Sequence, residues 1–305
     1  MQHKMPTVPT LLVTGSNGQV GFELRRSLAP LGHVVALDRA GCDLSNVEAL
    51  RQVVRQYRPD VIVNPAAYTA VDKAETDAET AFAVNGTAAG VLAEEAKALG
   101  SLLVHYSTDY VFDGSKAGAY VETDPVNPRS VYGASKLAGE QAIEAVGGHS
   151  LILRTCWVAG AHGGNFTKTM LKLGRERDSL RVIADQFGAP TTAALIADVT
   201  AQIIGRFWFA GEQSAFPSGI YHLAAAGETS WHGYATEVLR YAAAQGIELK
   251  VDPASVEAIP ATAYPLPAPR PANSRLDTAK LRQAFEIHLP HWQPGIHYLL
   301  DQIFS

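Results

Sequence analysis

The sequence predicts an α/β protein built on a parallel, doubly wound sheet and completed by a smaller, mixed C-terminal part. Two observations support this prediction. Short apolar runs of strand length alternate with helical patterns through the first half of the chain, which is the order of βαβ units. Polar residues also follow several of these runs directly, at what would be the carboxyl ends of parallel strands, where doubly wound sheets bind their ligands.

Five strands and three helices are predicted in the first half. The strands are Leu11–Thr14, Val34–Leu37, Val61–Val63, Leu102–Tyr106 and Leu151–Leu153, and the helices are Glu48–Gln56, Ala78–Leu99 and Val131–Val146. The second half loses this order, with a helix predicted over Ile196–Phe207 and a strand over Gly219–Leu223. The proline-rich Ala258–Arg275 predicts an extended loop or a disordered linker, and Asn273–Asp277 is expected to begin a last helix.

Composition excludes several classes of protein. The 305 residues carry a net charge of −5 without a long basic run, which argues against nucleic acid as a partner and gives no sign of a membrane surface. Met1–Thr10 lacks an apolar signal core, and no apolar run approaches the ~18 residues of a membrane span. The two cysteines, Cys42 and Cys156, and the ten histidines show no metal-ligand spacing, so we expect no protein-bound metal and a reducing cytoplasmic location.

A glycine-rich turn follows the first predicted strand. Gly15, Gly18 and Gly21 are spaced Gly-x-x-Gly-x-x-Gly. A helical pattern of apolar residues starts within this segment, at Val20, and continues with Leu24. Glycines in this position let the backbone approach a pyrophosphate, whose charge the helix N-terminus stabilises. The spacing departs from Gly-x-Gly-x-x-Gly and such a turn can be purely structural, but its place between strand and helix favours a dinucleotide site.

The second predicted strand ends at Asp38 and Arg39. An acidic residue here suits the adenosine ribose hydroxyls of NAD, whereas the planar guanidinium of Arg39 suits the 2′-phosphate of NADP. Both can also be ordinary loop charges. The sequence therefore predicts NADPH or NADH without choosing between them.

Tyr132 and Lys136 lie four positions apart, which places a phenol and an ammonium on one face of a helix. The pair can occur by chance, but a nearby cation is expected to lower the pKa of the tyrosine towards the range of a general acid. Thr108, at the end of the fourth predicted strand, is placed where Tyr132 can meet it. His105, within that strand, is expected to be a hydrogen-bonded core residue.

With these features in view, the chain resembles the extended short-chain dehydrogenase/reductases and, among them, the family of dTDP-4-dehydrorhamnose reductases. The resemblance spans nearly the whole chain. It rests on Asn64–Glu75, Ser107–Gly114, Asn127-Pro128 leading to Val131-Tyr132-Gly133, Arg154–Val158, Asp185–Thr191 and Arg270–Leu276.

The resemblance implies a Rossmann-type fold and transfer of a hydride from NADPH or NADH to C4 of a dTDP-linked 4-keto-6-deoxy sugar, giving dTDP-L-rhamnose. Tyr132 would donate the proton, Thr108 would assist it, and Lys136 would bind the nicotinamide ribose. Implied cofactor contacts are Gly15, Asn17, Gly18, Gln19, Val20, Asp38, Arg39, Asp43, Leu44, Ala66, Ala67, Tyr68, Tyr132 and Lys136. Implied substrate contacts are Val71, Thr108, Asp109, Trp157, Asn165 and Arg275, although Trp157 can equally be core and Arg275 can pair with Asp277.

The resemblance also implies two interleaved domains. A dinucleotide-binding domain comprises residues 1–157 and 192–225, and a substrate-binding domain comprises 158–191 and 226–305. A homodimer is possible, and Mg²⁺ is possible because Glu23 matches a metal-linked position of some relatives. Ala194 stands where such relatives have a glutamate, so Mg²⁺ can instead partner the substrate diphosphate.

Two other functions remain open. The first is a sugar-nucleotide epimerase or 4,6-dehydratase on the same scaffold, although Thr108-Asp109-Tyr110 lacks the glutamate that dehydratases place after the aspartate. The second is a non-catalytic nucleotide-binding subunit that regulates another enzyme. Thr108, Tyr132 and Lys136 are all present, and a pure binding protein has no chemical need for them.

Overall fold

The structure is a computed structural model, and it describes residues 8–305. Residues 1–7 lie outside the described residues. The start of the first predicted domain falls there, and so does most of the segment predicted not to be a signal peptide. The strands are β1 Thr10–Val13, β2 His33–Ala36, β3 Val61–Asn64, β4 Leu102–Thr108, β5 Ser150–Thr155, β6 Val158–Ala159, β7 Arg181–Ile183, β8 Phe187–Gly188, β9 Thr191–Thr192, β10 Gly219–His222, β11 Thr229–Ser230 and β12 Glu257–Ile259. The helices are α1 Gln19–Ser27, α2 Val47–Tyr57, α3 Val71–Ala74, α4 Ala78–Phe82, α5 Ala88–Leu99, α6 Val131–Val146, α7 Phe166–Glu176, α8 Ala193–Ile203, α9 Trp231–Ala244, α10 Ala279–Phe285 and α11 Trp292–Phe304.

Six strands form one parallel sheet in the order β2-β1-β3-β4-β5-β10. From β1 the chain builds outward first on one side, to β2, and then on the other, to β3 and beyond. The order therefore reverses between β1 and β3, which opens a crevice at their carboxyl ends. The predicted fold class, a doubly wound parallel sheet, is confirmed.

Alternating side chains of each central strand enter opposite layers. Leu11 and Val13 pack on the side of α1 and α8, whereas Leu12 packs with α2 and α5 on the other side. The same alternation holds in β3, β4 and β5, because successive side chains of a strand point to opposite faces. Both faces are covered, so these strands are continuous apolar runs in the sequence.

A second apolar cluster lies among α7, α9 and α11, with Tyr234, Trp292 and Ile296 among its buried residues. Three short strand pairs accompany it: β7 with β12, β8 with β11, and β6 with β9. We propose this cluster as the core of the substrate-binding part. Leu281 and Phe285 of α10 instead pack into the core on the α1 and α8 side of the sheet, so we assign α10 to the dinucleotide-binding part.

The segment Ala258–Arg275 is largely the predicted extended loop and not a free linker, because β12 pairs with β7 and Pro271 packs directly against Gly114. The structure differs from the predicted helices in three places. A π-helical turn at Ala83–Thr87 separates α4 from α5 within the predicted helix Ala78–Leu99, and a second π-helical segment, Ile204–Phe209, follows α8 within the predicted helix Ile196–Phe207. The helix expected to begin within Asn273–Asp277 begins at Ala279, and α11 follows it as the last helix. Among the helices at residues 8–305, none has the length and apolar character that crossing a membrane requires.

Candidate active site

A cleft of about 690 Å³ opens at the carboxyl edge of the sheet, over the crevice between β1 and β3. All but one of the predicted cofactor contacts line it. These are Gly15, Asn17, Gly18, Gln19, Val20, Arg39, Asp43, Leu44, Ala66, Ala67, Tyr68, Tyr132 and Lys136. The glycine turn and the tyrosine–lysine pair therefore share one cleft.

The glycine turn is held in a shape that side chains would block. Gly15 has φ +55°, a left-handed conformation that favours glycine, and a Cβ there would lie 2.9 Å from Ala66. A Cβ on Gly21 would lie 2.1 Å from the Gly15 carbonyl oxygen. The amide of Gly18 donates to the Gly15 carbonyl at 2.9 Å, and α1 begins at the next residue. The unpaired N–H groups of the first helical turn and the helix dipole make this end of the cleft suitable for a pyrophosphate.

Asp38 and Arg39 have different surroundings. The Asp38 carboxylate accepts hydrogen bonds from the amides of Ala40 and Gly41 at 3.0 and 3.1 Å, and from Asn17 Nδ2 at 3.0 Å. Asp38 is the one predicted cofactor contact that does not line the cleft, whereas the exposed Arg39 does. Arg39 is therefore the charged side chain of the pair that faces the ligand space.

The helix that carries Tyr132 is fixed at its start. Ser130 caps α6 by accepting a hydrogen bond from the Gly133 amide at 3.1 Å, and the Val131 amide donates to Glu75 Oε1 at 2.9 Å. A Cβ on Gly133 would lie only 2.2 Å from the Tyr110 carbonyl oxygen. Gly133 thus allows α6 to lie directly against the turn that follows β4, and this contact sets the position of Tyr132.

Thr108 and Tyr132 come together at this turn. Thr108 Oγ1 donates to Asp109 Oδ1 at 3.0 Å and accepts from the Tyr110 amide at 3.2 Å. Burial raises the pKa of Tyr132 to about 12, while its hydrogen bond with Thr108 acts in the opposite direction. The predicted lowering of this pKa by Lys136 is wrong for the protein alone, because burial outweighs other effects, and Tyr132 keeps its proton at neutral pH.

Burial also shifts the pKa values of two further ionisable groups in the site. Burial lowers the pKa of Lys136 to about 8, although the negative charge of Glu140 acts to raise it. Burial also raises the pKa of Asp109 to about 6, with hydrogen bonds, including the one from Thr108, acting against it. Two ionisable groups whose pKa values lie near neutral therefore accompany a tyrosine that keeps its proton.

None of the six predicted substrate contacts is among the residues that line the cleft, although Thr108 and Asp109 directly follow Ser107, which does line it. Trp157, which has φ +47°, stacks on Trp231 with ring centroids 3.6 Å apart. Asn165 caps α7 and donates to Gln19 Oε1 at 2.9 Å, so its amide joins the two parts of the chain. Val71 begins α3.

Arg275 is held by neighbours on several sides. Its side chain donates to Asn273 Oδ1 at 2.8 Å and pairs with Glu228 at 3.2 Å. The alternative pairing with Asp277 does not form, since the Asp277 carboxylate accepts from the Ala279 amide instead.

Several cleft residues were not predicted from the sequence. Ser107 and Thr155 line the cleft, and each has a buried hydroxyl without a hydrogen-bond partner. Both stand at strand ends, Ser107 directly before the predicted Thr108 and Thr155 two positions before the predicted Trp157, so strand-end position was the available signal. Lys73, Asp77 and Tyr106 also line the cleft.

The described residues do not form a metal site. Across residues 8–305, no three His, Cys, Asp or Glu side chains are grouped as metal ligands. Glu23, the residue that suggested Mg²⁺, pairs with Arg26 at 3.4 Å and is nearly buried.

Comparison with known proteins gives one consistent result. The model of the family described as "RmlD substrate binding domain" matches residues 9–304. The dTDP-4-dehydrorhamnose reductase of Burkholderia thailandensis is 50% identical over 295 residues, covering 97% of this chain and 99% of that protein, and the one of Escherichia coli K12 is 46% identical over 299 residues, covering 97% and 98%. The crystal structure of a dTDP-4-dehydrorhamnose reductase from Bacillus anthracis in complex with NADP superposes with a TM-score of 0.88 at 33% identity, covering 97% of this chain and all of that one. The resemblance found in the sequence motifs is confirmed, and the chain belongs to the family of dTDP-4-dehydrorhamnose reductases.

Proposed function

We propose that this protein reduces the C4 keto group of dTDP-6-deoxy-L-lyxo-4-hexulose with NADPH or NADH, giving dTDP-L-rhamnose for cell-surface polysaccharide synthesis. The observation that carries the proposal is the single cleft that joins the glycine turn to Tyr132 and Lys136. The names of the relatives, which are alike over nearly the full length of the chain, support the same substrate.

The cleft fits a nicotinamide dinucleotide. The glycines at 15 and 21 allow the turn a shape in which a Cβ would collide with Ala66 or with the Gly15 carbonyl, and the unpartnered hydroxyls of Ser107 and Thr155 can bond to ligand atoms. The start of α1 would hold the pyrophosphate, and Lys136 would hold the nicotinamide ribose. When bound, the reduced nicotinamide supplies the hydride.

The residues around Tyr132 handle the proton. Because its phenol is neutral at the pH of the cell, Tyr132 can donate a proton to the C4 oxygen as negative charge grows there. Thr108 lies beside Tyr132 and donates its one hydroxyl proton to Asp109, so it can stabilise the phenolate oxygen by turning that proton from Asp109 to Tyr132 once the tyrosine proton has left. The charged Lys136, one helical turn away, stabilises the same phenolate.

The substrate-binding residues follow from position. We assign the sugar to the region of Thr108, Asp109 and Trp157, at the carboxyl ends of β4 and β5, and of Val71, at the start of α3, while Asn165 positions Gln19. We propose Arg275 for the substrate diphosphate, which requires it to exchange its pairing with Glu228. Mg²⁺ has no protein site in this scheme and no step is assigned to it.

We propose a cytoplasmic location and a reaction without nucleic acid or membrane partners. Cys42 and Cys156 are both unpaired and buried, which agrees with a reducing compartment. A homodimer stays a prediction.

The test is oxidation of NADPH and of NADH with dTDP-6-deoxy-L-lyxo-4-hexulose, with the product identified. Tyr132→Phe keeps the ring but removes the proton donor, so it should bind cofactor as the parent does and lose at least ~10²-fold in kcat. A parent protein that converts the sugar nucleotide without consuming external hydride would instead be an epimerase or dehydratase. Full activity of Tyr132→Phe would reject the assigned proton donor.

A further inference from the structure

A buried chain of four polar side chains crosses the sheet beneath the cleft. Thr14 Oγ1 lies 2.6 Å from Asn64 Oδ1, Asn64 Nδ2 lies 3.0 Å from His105 Nδ1, and His105 Nε2 lies 3.2 Å from Lys136 Nζ. Asn64 and His105 are direct neighbours in register across β3 and β4. Each of the four residues is at most 2% exposed, so water does not compete for these bonds.

Within residues 8–305, the His105 imidazole is the side chain that lies within hydrogen-bond distance of the Lys136 ammonium. Among these residues Nζ takes part in no ion pair within 4.0 Å, and its side-chain neighbour is His105 Nε2 at 3.2 Å. The nearest turn of α6 carries Glu140, but its carboxylate is bound at both oxygens by Arg154, at 2.9 and 2.6 Å. A buried ammonium needs acceptors for its N–H groups, because an unpaired buried charge is costly.

Each hydrogen bond among these four side chains needs one donor and one acceptor, which limits where their protons can lie. Burial and the neighbouring Lys136 hold the pKa of His105 well below its usual range, so the imidazole is neutral and carries one N–H. An ammonium can only donate, which requires a free lone pair on Nε2 and places the proton on Nδ1. Asn64 must then present its carboxamide oxygen to His105 and its Nδ2 to Thr14.

As placed, the Asn64 amide has the opposite orientation, with Nδ2 towards His105. A half turn of the amide exchanges oxygen and nitrogen at the same positions, and this choice is an assignment made from the bonding network. With Nδ2 towards His105, Nδ1 must accept the hydrogen bond and the imidazole proton lies on Nε2, facing Nζ. This arrangement suits only an uncharged lysine, which can accept that proton. The two amide orientations therefore correspond to the two charge states of Lys136.

We propose that His105 is a positioning residue for Lys136: its neutral Nδ1–H imidazole accepts a hydrogen bond from Nζ and so holds the ammonium charged and directed beside Tyr132. The contribution of Lys136 to reduction rests on the proposed function, whereas the imidazole–ammonium bond does not. The ionisable groups that surround Lys136 on the neighbouring elements must be considered in any pH experiment. They are Tyr132 and Glu140 on α6, His105 on β4 and Asp109 directly after it, Arg154 on β5, and Lys73 and Asp77 around α3 and α4.

Two substitutions separate the two nitrogens of the imidazole. His105→Asn can keep an amide near the Nδ1 position but leaves Nζ without its acceptor, whereas His105→Gln can place an amide oxygen near the Nε2 position. We expect His105→Asn to weaken NADPH binding roughly tenfold at pH 7.5, as loss of a bond to a charged group does. The midpoint at which NADPH binding weakens with rising pH should fall by about one unit, because the charged lysine has lost its acceptor. His105→Gln should keep both properties close to those of the parent.

The readouts are the NADPH dissociation constant from pH 6 to pH 9 and the thermal midpoint of each variant, and neither requires turnover of any sugar. Lys136→Met is the reference in which this pH dependence should disappear. Equal pH midpoints for the parent and His105→Asn would overturn the proposal. So would a shift of the same size in His105→Gln, because a merely structural role would affect both variants.

The tautomer is measured on the parent protein with ¹⁵N-labelled histidine and bound NADPH. A proton on Nδ1 and an unprotonated Nε2 at pH 7 are expected for His105. A proton on Nε2 would reject the inference even if His105→Asn did not fold. A protein that binds NADPH as expected but fails to reduce the sugar would contradict the proposed function and leave these measurements valid.

Discussion

The contact between Gly133 and the Tyr110 carbonyl gives a sharp test of how the active-site helix is placed. In Gly133→Ala the new Cβ would lie 2.2 Å from that oxygen, whereas ordinary contact begins at 3.4 Å. Helix α6 and the turn after β4 must therefore separate by about 1 Å. Overpacking of this kind costs about 1–3 kcal/mol, and the better helix propensity of alanine returns about 1 kcal/mol. We expect a net loss of up to about 2 kcal/mol and a fall in Tm of up to roughly 8 °C.

The effect on catalysis should be larger than the effect on stability. Tyr132 precedes Gly133 and moves with it, and a 1 Å misplacement of a reacting group can cost about 10²-fold in rate. Gly86→Ala is the matched control, because Gly86 is also a buried helical glycine facing α6 but its Cβ would meet Ala138 at an ordinary 3.4 Å. The assays are thermal denaturation of the ligand-free protein and kcat with saturating NADPH. Parent-like Tm and kcat in Gly133→Ala would show that this contact does not set the position of Tyr132.

Two further predictions concern charge. Arg39→Ala should raise the KM for NADPH about tenfold or more and leave the KM for NADH within about threefold, because only NADPH carries the 2′-phosphate. Arg177→Ala, which also removes an exposed arginine, serves as the control. Equal effects of Arg39→Ala on the two KM values would contradict the role of Arg39. The raised pKa of Asp109, about 6, means that its favourable contribution to stability is complete below the unfolded value of 3.8 and is lost as pH rises through 6. Asp109→Asn should therefore gain stability relative to the parent between pH 4 and pH 7, by on the order of 3 kcal/mol. Denaturant unfolding at both pH values measures this, and a difference that does not change with pH would refute the buried, titrating carboxylate.

The sheet could be predicted because its signal is local. Runs such as Leu11–Val13 are apolar at every position since both faces of the sheet are covered, and the polar residues that end them lie at one edge by topology. The glycine turn and the spacing of Tyr132 and Lys136 are likewise contained within a few residues. These local patterns were enough to place most of the cleft.

The remainder depends on contacts between distant segments. His105 was expected to be a hydrogen-bonded core residue, and it is buried and bonded, but its partner Lys136 lies 31 positions away and no periodicity links the two. The raised pKa of Tyr132 results from the burial of its phenol, which cannot be predicted from its spacing to Lys136 in the sequence. The π-helical turn at Ala83–Thr87 changes the helix by one residue, too little to disturb the apolar pattern.

The order of strands in the sheet has a consequence for synthesis on the ribosome. The outermost strand, β10, begins at Gly219, although its neighbour β5 ends at Thr155. A nascent chain that has released β5 therefore holds a growing sheet with an unpaired edge while β6 to β9 emerge, and unpaired edges invite pairing with other chains. Helix α10, which packs on the same sheet, arrives later still. The nucleotide-binding half is thus among the first parts to begin folding and among the last to be finished, so its completion is coupled to translation of almost the entire chain.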